Sequence, residues 1–167
     1  MTLCLRNRQR VCAIDLRFLR RILRHILDDR FKGPDHELCF HFVEAKELAR
    51  INEEFLHHIG PTDVITFDYG PAAARRRSRE RRDMELGSPL DGEIFICPEV
   101  AVSQAREFRT SWQEETVRYA IHGLLHLQGY DDLAAGPRRQ MKREEERILA
   151  GVVKRFAVAR LQRARLK

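Results

Sequence analysis

Apolar positions change their period several times along the chain, and the changes outline its elements. The short apolar run "RVCAID" predicts a strand. After it, Leu16, Leu19, Ile22, Leu23, Ile26 and Leu27 recur at helical spacing and predict an amphipathic helix. A turn at "KGPD" leads into "HELCFHFVE", where Leu38, Phe40 and Phe42 alternate with polar neighbours as in a half-buried strand. "EAKELARINEEFL" returns to helical spacing, and "DVITF" and "GEIFIC" predict two further strands. Beyond Pro98 the pattern is helical: "PEVAVSQAREF", then Ser111 through Leu127, then "PRRQMKREEERILAGVV". Ser111 and Glu114 have the spacing of a capping box, and Val117, Ala120, Ile121, Leu124 and Leu125 would bury one side of the helix they start. That helix is therefore expected to be central. The predicted fold class is α+β, a small mixed sheet of about four strands packed by about five helices. No internal repeat is evident.

Length and composition narrow the picture. A chain of 167 residues with 43% hydrophobic positions supports one domain with a real core. We place that domain at residues 1–150 and read 151–167, which ends in "KRFAVARLQRARLK", as a basic C-terminal extension. The formal net charge is +6, which makes a polyanionic partner plausible without identifying one. Arginines concentrate in "RRRSRERR", Arg75 to Arg82, inside a Gly- and Pro-bracketed segment that reads as a surface loop. Cys4, Cys12, Cys39 and Cys97 form no Cys-x-x-Cys pair, so spacing suggests neither a thiolate zinc knuckle nor a disulfide framework. A reducing cytoplasm fits that usage best. No apolar run is long enough to span a bilayer, and the amino terminus is charged too early for a signal peptide.

The candidate chemistry lies in "HGLLHLQGYDD", His122 to Asp132. On a helix, His122 and His126 project from one face, where two imidazole nitrogens can reach one zinc ion. An isolated pair of this kind is equally compatible with ordinary surface or core histidines. Gly129 follows three residues after His126, where a helix needs a left-handed residue to stop, and the chain can then fold back. Asp132 is the candidate third ligand; Asp131 is the nearer alternative, with capping of the turn as its competing role. The spacing also matches the extended zinc-protease signature, but that signature carries a glutamate general base where this chain has Gly123. Peptide hydrolysis is thereby disfavoured.

The same residues resemble the signature of the YbeY family, bacterial rRNA maturation factors and single-strand-specific endoribonucleases, which reads His-Gly-x-x-His-x-x-Gly-Tyr-Asp-His. The resemblance extends upstream, where "NEEFLHHIGPTDVITF" is similar to the family's Asn-x-x-Phe/Tyr-Arg and Thr-Asp-Val-Leu-Ser-Phe segments, and "GEIFIC" to its Gly-Asp-Ile strand. Together these cover about Asn52 to Asp132. Two positions depart. The third metal ligand of the family is histidine, here Asp132, and an anionic ligand leaves the metal a weaker Lewis acid. The family's arginine for RNA phosphate falls on Leu56, which cannot make that contact. His57 and His58 follow as candidate substitutes, against the simpler reading of exposed loop histidines.

The resemblance implies a zinc-dependent endoribonuclease that matures the 3′ end of small-subunit rRNA and serves ribosome quality control. One Zn²⁺ per chain would be held by His122, His126 and Asp132, which would also be the catalytic set. RNA-binding candidates are His57, His58, Arg75, Arg76 and Arg77. Expected partners are rRNA and the small ribosomal subunit, with ribosomal proteins and an assembly GTPase; neither membrane nor DNA is expected. The alternative is a ribosome-assembly factor with little or no activity, because of Leu56 and Asp132. A metal-dependent hydrolase for another substrate is a third option, since a metal triad does not name its scissile bond.

Overall fold

The computed structural model describes residues 1–32, 35–57, 60, 62–70 and 89–163. Strands β1 (Thr2–Asn7), β2 (Glu37–Phe42), β3 (Val64–Asp68) and β4 (Asp91–Ile96) form one sheet in the order β1-β2-β4-β3. β1 pairs parallel with β2 and β2 with β4, while β3 runs antiparallel to β4 at the edge. Five α-helices accompany it among the described residues: α1 (Leu16–Arg30), α2 (Ala45–Ile51), α3 (Pro98–Phe108), α4 (Trp112–Leu127) and α5 (Ala135–Arg155). A π-helical turn, Asn52–Leu56, extends α2, and a 3₁₀ turn covers Val158–Leu161. The α+β class with a four-stranded mixed sheet and five helices is as expected.

The helix α1 carries the parallel crossover between β1 and β2, as parallel neighbours require. Its stripe of Phe18, Leu19, Ile22, Leu23, Ile26 and Leu27 is buried, and Asp15 caps its start by accepting from the Arg17 and Phe18 amides. Each such aliphatic side chain is worth about 1.5–3 kcal/mol on burial, so this stripe anchors the helix more firmly than intrinsic propensity. It meets Leu38, Phe40, Phe42, Ile94 and Ile96 from one sheet face, together with α4 and α5, in the main core. A smaller cluster, Val43, Leu48, Ile51, Ile65, Phe95 and Cys97, lies where α2 covers part of the opposite face.

The first strand is displaced from its expected place. Residues 10–15 do alternate, with Cys12 and Ile14 buried, but they do not join the sheet. Ile14 instead bridges Gln162, flanked by hydrogen bonds from the Asp15 amide to the Leu161 carbonyl and from the Arg163 amide to the Ala13 carbonyl. The sheet's edge is Thr2–Asn7, where only one neighbour must be paired and Arg6 and Asn7 remain exposed. Polar residues at that edge weakened its periodicity. The same bridge ties down the chain beyond 150, where Val152, Val158 and Leu161 enter the main core and the basic residues stay outside it. No helix among the described residues is long and apolar enough to cross a membrane. The arginine-rich segment from 71 to 88 lies outside the described residues.

Candidate metal centre

Helix α4 lies across the sheet because Gly123 allows it. A Cβ at that position would sit 2.7 Å from Cγ2 and 3.0 Å from Cδ1 of Ile94 on β4, too close for any side chain without movement. Ser111 caps the helix, accepting from the Glu114 amide at 3.2 Å, as the capping spacing predicts. Its far end is a Schellman turn. The Gly129 amide donates to the His126 carbonyl at 2.9 Å and the Tyr130 amide to that of Leu125 at 3.0 Å, with Gly129 at φ +92°. Tyr130 packs against the main core.

This turn returns the chain to the histidine face. His122 Nε2 and His126 Nε2 are 3.0 Å apart, and Asp132 Oδ2 lies 3.9 Å from the first and 4.0 Å from the second. Asp131 has another task, with Oδ1 accepting from the Leu133 amide at 3.0 Å in an Asx turn.

The remaining ring nitrogens explain the orientation. His122 Nδ1 stands 3.0 Å from Glu145 Oε2, and His126 Nδ1 stands 3.1 Å from the Tyr130 carbonyl oxygen. Both partners are acceptors, so each Nδ1 carries the proton and each Nε2 turns a lone pair inward. Two lone pairs and a carboxylate thus converge on one point. Ligands about 2.0–2.1 Å from a tetrahedral zinc lie about 3.3 Å apart, a value between the observed separations. The donor set therefore fits a borderline divalent cation after small side-chain shifts.

Glu145 also sets the charge balance around His122. Burial pushes the His122 imidazole toward neutrality, but the hydrogen bond and charge of Glu145 outweigh it and hold its pKa above the ordinary value. Burial likewise pushes the Glu145 carboxyl up, and His122 and Arg118 more than reverse this, holding it below the usual carboxylate range. Arg118 Nη1 contacts Glu145 at 3.1 Å and Glu146 at 3.3 Å. Arg138 fixes the returning turn, donating to the Asp132 and Leu133 carbonyls at 2.7 and 3.2 Å. Beside the triad opens a cleft of about 150 Å³ lined by His122, Asp132, Arg138, Met141, Lys142 and Glu145.

A family model described as Endoribonuclease YbeY matches residues 5–153 of this chain. The chain belongs to the endoribonuclease YbeY family. An Endoribonuclease YbeY from Salinibacter ruber is 31% identical over 142 residues, covering 84% of this chain and 85% of that protein. One from Chlorobium luteolum is 39% identical over 113 residues, covering 68% of this chain and 72% of its own. The solution structure of TM1509 from Thermotoga maritima has a similar fold, with a TM-score of 0.61 at 22% identity, covering 98% of this chain and 97% of that one.

Within the YbeY frame, His122, His126 and Asp132 are brought together as one cluster. Of the RNA-binding candidates, His57 alone lies among the described residues. His57 is exposed and closes the π-helical turn in a left-handed conformation, φ +56°. His58, Arg75, Arg76 and Arg77 lie outside the described residues. Glu145, Arg118, Arg138 and Lys142 were not anticipated as parts of the site. A signal existed for Glu145, which shares a helical stripe with Met141, Ile148, Leu149 and Val152 and is buried with them. A carboxylate on an apolar stripe needs a partner. Here the partners are His122 and Arg118.

Proposed function

We propose that this chain is a metal-dependent endoribonuclease that cuts single-stranded RNA, with rRNA as its substrate and zinc as its cation. The carrying observation is the convergence of His122 Nε2, His126 Nε2 and Asp132 Oδ2 with both Nδ1 atoms already engaged. When bound there, the cation would supply Lewis-acid polarisation of the scissile phosphodiester. The protein's own groups do the rest. Glu145 and the Tyr130 carbonyl hold the two rings in their ligand tautomer, and Arg138 keeps the Asp132 turn in register. Arg138 and Lys142 present positive charge to the cleft, where RNA phosphates would lie. Glu145 is committed to His122 and Arg118 and is not the general base.

The family membership favours catalysis over the reading of an assembly factor without activity. Processing of the small-subunit rRNA 3′ end, contacts with ribosomal proteins and an assembly GTPase, and a cytoplasmic site of action rest on the resemblance stated above. The test is cleavage of a single-stranded RNA and of a duplex of the same composition. The single strand is expected to be cut and the duplex spared. If neither is cut with zinc present, the non-catalytic reading replaces this one.

Two further outcomes follow from named residues. Glu145→Ala is expected to weaken zinc binding by about 10–100-fold, measured by chelator competition, because His122 loses its orienting partner. Glu145→Gln should lose less, since its amide oxygen still accepts from Nδ1. Equal affinity in all three proteins would show that Glu145 does not position the ligand. Replacing Arg75, Arg76 and Arg77 with Ala is expected to reduce the slope of log affinity for single-stranded RNA against log salt by about 2. An unchanged slope would remove these arginines from the footprint.

A further inference from the structure

The sheet face opposite α4 carries a second convergence of ligand-type side chains. Because side chains alternate across a strand, Cys39 and His41 on β2 point away from the core that receives Leu38, Phe40 and Phe42. Glu93 lies directly beside Cys39 in the β2–β4 register, and Cys4 of β1 lies on its other side. Ligand atoms of Cys39, His41 and Glu93 all fall within 4.8 Å of one another.

An independent observation singles out His41. Its side chain is only 4% exposed and its ring stacks on Phe95 at 4.3 Å, yet neither ring nitrogen has a hydrogen-bond partner among the described residues. Glu93 Oε1 is 3.4 Å from Nε2 but outside hydrogen-bond geometry. Burying two ring nitrogens unsatisfied costs stability, and native structures seldom tolerate it without a ligand or function. The other buried ring of this kind, His36, is fully engaged, with Nε2 2.6 Å from the Phe31 carbonyl oxygen and Nδ1 accepting from the Leu90 amide at 2.9 Å. His41 instead faces a thiol and a carboxylate.

We propose that Cys39, His41 and Glu93 form a second cation site, for a borderline-soft divalent ion of the zinc type, separate from the site on α4. Sulfur, imidazole and carboxylate are the three ligand types such an ion takes, and since the ligand atoms lie within 4.8 Å of one another, reaching the spacing of about 3.3–3.6 Å of tetrahedral ligands needs a contraction of no more than about 1.5 Å. Cys39 and Glu93 are half-buried, so an ion and a fourth ligand can enter from solvent. Binding would replace the Cys39 thiol proton with a metal–sulfur bond and release that proton to solvent. An ion there would join β2 to β4, the two central strands, on the face α2 covers only in part.

The proposal stands apart from the proposed nuclease activity, and its test reads no activity. The whole chain, kept reduced, is titrated with cobalt(II) in a His122→Ala, His126→Ala background that lacks the first site. One equivalent is expected to bind with a sulfur-to-cobalt charge-transfer band in the near ultraviolet. Adding Cys39→Ser, a near-isosteric change at a half-exposed position, should abolish the band without altering the far-ultraviolet circular dichroism. Absence of the band in the double variant, or its persistence after Cys39→Ser, would overturn the site. Cobalt bound without a sulfur band in the otherwise unaltered chain would overturn it while leaving the α4 site standing.

Discussion

His126→Ala is expected to reduce cleavage of single-stranded RNA by at least about three orders of magnitude. His126 supplies one of three donors, and the two that remain, His122 Nε2 and Asp132 Oδ2, stand 3.9 Å apart. Loss of Lewis-acid stabilisation worth several kcal/mol is a loss of several powers of ten in rate. The fold should hardly notice, because the His126 side chain is 27% exposed and its ring is not part of the core. A chemical-denaturation midpoint within experimental error of the parent, beside a missing cleavage product, would locate the defect in the chemistry. Identical purification of both proteins controls for contaminating nuclease, and undiminished cleavage by the variant would remove the histidine pair from the mechanism.

Gly123→Glu is expected to be severely destabilising. The glutamate that a zinc protease carries after its first histidine would here begin with a Cβ 2.7 Å from Ile94 Cγ2. Its carboxylate would then be driven into the interface between α4 and β4, among the fully buried Ile94, Ile121 and Leu124. Overpacking costs about 1–3 kcal/mol, and an unpaired buried charge adds several more. Against a total stability of about 5–15 kcal/mol, this leaves little or no folded protein. Gly123→Ala removes the charge and keeps part of the clash, so it should lose about 1–3 kcal/mol. Urea unfolding of both variants checks the pair. A parent-like midpoint for Gly123→Glu would mean that α4 does not press on the sheet as described.

The glycine therefore has a packing reason as well as a chemical one, and only the chemical one was legible in the sequence. Local signals read well. The stripe of α1, the Ser111 cap, the stop at Gly129 and the return to Asp132 all depend on neighbours within a few residues, where periodicity and turn chemistry act. The sheet edge did not read, because β1 carries Arg6 and Asn7 while the better-patterned residues 10–15 pair with the far end of the chain at Gln162. Long-range partners did not read either. Glu145 meets His122 across 23 residues, and its run of charged neighbours, "KREEER", disguised a buried carboxylate as a solvated face. Cys39, His41 and Glu93 become a cluster only through the β2–β4 register, which no cysteine spacing reports.

The central claim is that a cation held by His122, His126 and Asp132 drives RNA cleavage. It is tested most directly by stripping the purified protein with a chelator, removing the chelator, and measuring cleavage of single-stranded RNA before and after zinc is restored. The account predicts that cleavage disappears on stripping and returns with zinc in the parent protein. It predicts the same return in Cys39→Ser, whose altered thiol is on the other face of the sheet, and no return in His126→Ala. Stripped protein that cuts as fast as before would contradict it.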